Sequence, residues 1–101
     1  IPAMEQKITI SLAQLNPKVG DVSGNADLLR AARVEAIKVG SDFVVSSELF
    51  LCGYPPEDLV MKQAFVSHIM DVAEQLVAET GDGGPAYIFG LPFVEDGALY
   101  N

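Results

Sequence analysis

The chain has no tryptophan, one cysteine and one histidine in 101 residues, and each shortage closes off a class of function. A lone Cys52 excludes an internal disulfide framework and suits a reducing compartment. One Cys and one His give no metal-ligand cluster at any useful spacing, so no metal site is expected. Cationic residues are scarce too: 6 Lys+Arg stand against 14 Asp+Glu, a formal charge of −8. That balance argues against a nucleic-acid or anionic-membrane surface and is otherwise what keeps a domain soluble. No apolar run approaches the ~20 residues of a membrane span, and no signal-peptide pattern opens the chain, so a cytoplasmic protein is expected. What is present is half hydrophobic, enough for the core of one small domain over residues 1–101. Met4 has the look of a natural start, which makes Ile1-Pro2-Ala3 an expected expression remnant.

Periodicity orders the elements. Ile8, Ile10 and Leu12 alternate with Thr9 and Ser11, predicting a strand over Lys7 to Leu15. Its small polar face need not meet solvent, since such a face can pack on another layer. Asn16 to Asp21 is a turn cluster punctuated by Pro17 and Gly20. A helix to about Val39 follows, with Ser23 or Asn25 as N-cap, Leu28, Leu29, Ala32, Ala36 and Ile37 on one side, and Gly40 at the stop. Phe43 to Ser46 is a short apolar run of the buried parallel kind. Glu57 and Asp58 are expected in the first turn of a second helix, where the macrodipole favours negative charge. In that helix Phe65, Ile69, Val72 and Leu76 recur at 3.6 spacing, flanked by Val66, Ala73 and Val77, while Ser67, Asp71, Glu74 and Ala78 take the other face. His68 falls on the polar side. After the Thr80–Pro85 loop, Tyr87 to Leu91 reads as a third strand, and Ala98 to Asn101 as a fourth after an Asp96-Gly97 turn. The order β-α-β-α-β-β predicts an α/β layer with a parallel sheet, crossed right-handedly. Ending in a strand without a terminal cap, the chain is expected to be part of a domain.

The segment that speaks to chemistry is Ser46-Ser47-Glu48-Leu49-Phe50-Leu51-Cys52-Gly53-Tyr54-Pro55-Pro56-Glu57-Asp58-Leu59. Glu48 stands just past a buried strand, where open α/β folds place their ligands. Pro55 and Pro56 fix φ and push Tyr54 and Pro55 out of the α region, so the turn is stiff. On spacing alone Glu48 reads equally as a surface carboxylate and as a chemical group. Gly20 and Gly24 match neither phosphate-binding fingerprint, and Gly81-Asp82-Gly83-Gly84 precedes a strand rather than a helix. A flavodoxin-like or Rossmann nucleotide binder is therefore disfavoured.

This segment, with Ile10-Ser11-Leu12-Ala13-Gln14-Leu15-Asn16-Pro17-Lys18-Val19-Gly20-Asp21 and Gly90-Leu91-Pro92-Phe93, resembles the glutaminase branch of the nitrilase (carbon–nitrogen hydrolase) superfamily found in glutamine-dependent NAD synthetases. The likeness runs from about Lys7 to Asn101, and Gly53-Tyr54-Pro55-Pro56-Glu57-Asp58-Leu59 is its most specific piece. It implies the N-terminal part of a nitrilase-like α-β-β-α sandwich. It implies that Glu48 is the general base and acid of a Glu-Lys-Cys triad whose Lys and Cys lie beyond Asn101, and that Tyr54 lines the glutamine pocket. A carboxylate that both takes and returns a proton near neutrality needs its pKa raised by burial, which Phe50 and Tyr54 are placed to supply. Many members carry Pro before this Glu; here Ser47 stands there. Because the family places its nucleophile on a later strand, Cys52 is read as a packing residue. The segment itself is expected to carry no cofactor. ATP with Mg and deamido-NAD would be substrates of a synthetase domain in the same parent chain, a homo-oligomer is expected, and the 101-residue chain alone should be inactive. A stand-alone nitrilase-family amidase and a non-enzymatic α/β module are the alternatives.

Overall fold

The computed structural model describes residues 6–100; the expected remnant at Ile1-Pro2-Ala3 and the end of the last strand at Asn101 lie outside them. Strands β1 (Ile10–Ala13), β2 (Phe43–Ser46) and β3 (Ala86–Ile88) form a parallel sheet in the order β1-β2-β3. Helix α1 (Val22–Lys38) connects the first pair and α2 (Gln63–Glu79) the second. Both helices cover the same face, so the core lies between them and the sheet: Leu29 of α1 and Ile69 and Leu76 of α2 meet Phe50, Leu51 and Cys52, all fully buried. This is the expected α/β layer.

The sheet presents its faces in an instructive way. Ser11 and Ala13, small and half-buried, turn toward the helical layer, while Ile10, Leu12 and Ile88 are more than half exposed on the opposite side. The small polar face of β1 thus packs on a layer and the apolar face stands open. β1 is shorter than the expected Lys7 to Leu15 because its strand partner β2 is short: the ladder runs from Ile10 opposite Phe43 to Ala13 opposite Ser46.

Helix α1 departs from expectation at its start. Asp21, not Ser23 or Asn25, is the N-cap, accepting a hydrogen bond from the Gly24 amide at 3.0 Å. Its buried stripe is Val22, Asn25, Ala26, Leu29, Arg33 and Ala36, whereas Leu28 and Ile37 are exposed. Arg33 is buried because it is fully used: Nε donates to the Pro85 carbonyl at 2.8 Å and the two terminal nitrogens hold Asp82. Gly40 ends the helix as expected, with φ +72° and its amide on the Ile37 carbonyl.

Helix α2 buries Ile69, Val72 and Leu76, as its periodicity predicts, but Val66 is buried where Phe65 was expected, Phe65 is half-buried, and Val77 is exposed. Glu57 and Asp58 do not open it. They start a separate 3₁₀ turn (Glu57–Met61), divided from α2 by Lys62, whose backbone is extended at φ −88° and ψ 114°. The third strand stops at Ile88 instead of Leu91, and the structure adds a strand the sequence reading lacked. β4 (Phe93–Glu95) pairs antiparallel with β5 (Ala98–Tyr100) through Asp96 and Gly97, at φ +52° and +78°. Positive φ at both central residues of a two-residue turn closes a hairpin, which requires a strand on each side.

Candidate functional site

β2 ends at Ser46, and the chain then turns sharply through Ser47, Glu48 and Leu49. Leu49 adopts φ +53°, a left-handed conformation that is costly for a side chain of its kind. The turn is held from several sides. Its next three residues, Phe50, Leu51 and Cys52, are sunk in the core, and the Gly53 amide donates back to the carbonyls of Leu49 and Phe50. Glu48 therefore projects from an immobilised backbone at the carboxyl end of the central strand.

The opposite wall is the Asn16–Asp21 turn. One buried side chain joins the two. Asn25 accepts from the Lys18 amide at 2.8 Å and donates to the Lys18 carbonyl at 2.8 Å and the Leu51 carbonyl at 3.0 Å. The Gly20 amide adds a bond to the Cys52 carbonyl at 2.9 Å. Gly53, at φ +77°, lets the walls meet: a Cβ there would stand 2.6 Å from Val19 Cα.

Between the walls lies an open cavity of about 340 Å3, lined by Asn16, Pro17, Ser47, Glu48 and Tyr54. The two sequence-predicted site residues thus face one space. A second opening of about 500 Å3 continues from it along the ends of β1 and β2, and Ser47 borders both. Asn16 and Pro17 were singled out only as turn and resemblance residues; their place on the cavity wall follows from the Asn25 bridge, which sequence spacing does not display.

Two expectations about surroundings need correction. Glu48 is exposed, and Phe50 lies in the core rather than on the cavity wall, so this chain does not bury the carboxylate. Tyr54 is 69% exposed and so covers Glu48 little. Cys52 lies in the core: it is fully buried, its Sγ donates to the Leu49 carbonyl at 3.4 Å, and burial pushes its thiol pKa up, away from the reactive thiolate. Among the described residues, no group of three His, Cys, Asp or Glu side chains is placed to hold a metal, and no helix is long and apolar enough to cross a membrane.

A parallel sheet with a carboxylate fixed beyond its central strand, facing a small cavity, is an arrangement suited to acid–base work on a small molecule. The carbon–nitrogen hydrolase family profile matches residues 9–101, and the chain belongs to that family. Among curated relatives it is 41% identical over 98 residues to the glutamine-dependent NAD(+) synthetase of Rhodobacter capsulatus, covering 97% of this chain and 18% of that protein. Among solved structures it resembles a glutamine-dependent NAD(+) synthetase from Cytophaga hutchinsonii, with TM-score 0.83 and 26% identity over 93% of this chain and 16% of that one. An amidase from Nesterenkonia sp. matches with TM-score 0.75 and 27% identity, over 87% of this chain and 33% of that one. The chain thus spans less than a fifth of the synthetases it matches.

Proposed function

We propose that residues 1–101 are the N-terminal part of a nitrilase-type glutaminase domain that supplies ammonia for the ATP-dependent conversion of deamido-NAD to NAD. The observation that carries this reading is the shared cavity: Glu48 and Tyr54 line one space at the end of the central strand. In the reaction Glu48 takes the proton of a cysteine thiol located beyond Asn101, and the thiolate attacks the glutamine amide carbon. A lysine, also beyond Asn101, stabilises the oxyanion, and Glu48 returns the proton to the departing ammonia. The thioester is then hydrolysed by water that Glu48 deprotonates. Tyr54, on a rim stiffened by Pro55 and Pro56, contacts the glutamine. ATP with Mg and deamido-NAD are substrates of a synthetase domain of the same parent chain, in a cytoplasmic homo-oligomer.

Glu48→Gln in the full-length parent tests this, because it keeps the side chain's shape and removes its proton exchange. Loss of a general base costs ~10²–10⁴ in rate, so glutamine-driven NAD formation should collapse while ammonium-driven formation stays near wild type. Both activities falling together in a folded protein would make Glu48 structural, and neither falling would remove it from the chemistry.

The match to an amidase supports a second reading, a stand-alone nitrilase-family amidase. Glutamine hydrolysis by the parent with no ATP-dependent product would favour it.

A further inference from the structure

Of the three stretches that carry the family resemblance, Gly90-Leu91-Pro92-Phe93 has no role in the chemistry above, yet it passes directly beneath Glu48. A Cβ at Gly90 would stand 2.7 Å from the Leu49 amide nitrogen, 3.2 Å from Glu48 Cα and 3.4 Å from Glu48 C. The shortest of these is closer than real Cβ contacts come, and every atom met is backbone. Gly90 is not among the glycines of positive φ, so conformational freedom is not what the position asks of it. The requirement is empty space against one peptide.

Neither side of that contact can yield cheaply. Phe89 and Leu91, on either side of Gly90, pack on the core, and Pro92 is buried. Across the contact Leu49 also packs on the core, ahead of three fully buried residues, with its carbonyl bonded by the Gly53 amide and by Cys52 Sγ. Leu49 already holds φ +53°, so its peptide has little room to rotate. An added methyl group must therefore be met by a shift between these two segments, and because Glu48 Cα is among the atoms met, the shift changes where the carboxylate stands.

We propose that Gly90 is a positioning residue for Glu48: its missing side chain lets the 89–92 segment lie against the Glu48–Leu49 peptide and fixes where the carboxylate stands. The proposal rests on the reading of Glu48 as the general base. It also accounts for the early end of β3, since a chain that must pass under Glu48 leaves the ladder after Ile88.

The test compares Gly90→Ala with Glu48→Gln in the full-length parent, measuring glutamine-driven and ammonium-driven NAD formation. A displacement near 1 Å at a catalytic group costs on the order of 10²-fold, so Gly90→Ala should lower the glutamine kcat by about tenfold to a hundredfold. KM for glutamine should change less than about twofold, because the Asn16, Pro17 and Tyr54 walls are untouched, and the ammonium-driven rate should hold. If Glu48→Gln abolishes glutamine use and folded Gly90→Ala keeps its kcat, Gly90 is not a positioning residue and the assignment of Glu48 stands. If Glu48→Gln leaves glutamine use intact, both fall. Should Gly90→Ala fail to fold, Phe89→Leu carries the test, for it loosens the seat of the 89–92 segment on the core while leaving Glu48 and Leu49 intact. Lowered kcat at constant KM is then expected, and an unchanged kcat overturns the proposal.

Discussion

At the scale of the residue, Glu48 and Cys52 lie four positions apart on one turn and meet opposite environments. Glu48 faces the cavity, while Cys52 is fully buried, its thiol bonded to Leu49 and its pKa raised by that burial. A serine fits the same space and can make the same bond, so Cys52→Ser in the full-length parent should keep glutamine turnover within about twofold and lose ~1 kcal/mol of stability. Steady-state kinetics and urea unfolding check both halves. A loss of several orders of magnitude in a folded variant would make Cys52 the nucleophile. That Glu48 and Tyr54 border one space was legible because both sit in one short segment after an apolar strand. The surroundings of Glu48 were not. The left-handed Leu49 peptide sends Phe50 into the core and Glu48 outward, and a positive φ at leucine has no compositional signature of the kind glycine gives.

At the scale of the element, legibility followed how purely apolar each buried stripe is. α2 buries Ile69, Val72 and Leu76 where its period marks them, and only its first turn differs, with Val66 buried and Phe65 half-buried. α1 buries Asn25 and Arg33 within its stripe, so its apolar residues alone pointed to a face rotated toward Leu28 and Ile37. The residue read as a candidate cap, Asn25, is the polar clamp between the two cavity walls. Its loss would leave the Lys18 amide and the Leu51 carbonyl without this partner, at ~1–3 kcal/mol for each unsatisfied group, while the Lys18 carbonyl keeps the Asp21 amide. Asn25→Ala should therefore lower stability by about 2–4 kcal/mol, seen as a lower urea midpoint for the parent's transition in this domain. An unchanged midpoint would show that the Gly20–Cys52 bond and the Gly53–Val19 contact hold the turns together unaided. The hairpin strand Phe93–Glu95 was signalled by Asp96-Gly97, a pair that calls for strands on both sides.

At the scale of the whole molecule, the layer is built from one side. The helices seal one face of the sheet, and Ile10, Leu12 and Ile88 leave the other apolar and open. An α-β-β-α sandwich sets a second sheet against such a face. Three conditions for glutamine hydrolysis are therefore unmet by these residues: the Glu48 side chain is exposed, the one thiol is buried in the core away from the cavity, and the cavity is open. A base that lacks a thiol to deprotonate forms no thioester, however well it is placed. Incubation of the purified 101-residue chain with glutamine should accordingly release no ammonia above a buffer blank. Release above the blank that survives Cys52→Ser but not Glu48→Gln would mean that Glu48 activates water directly. Release abolished by Cys52→Ser would mean that the core opens far enough to present the thiol.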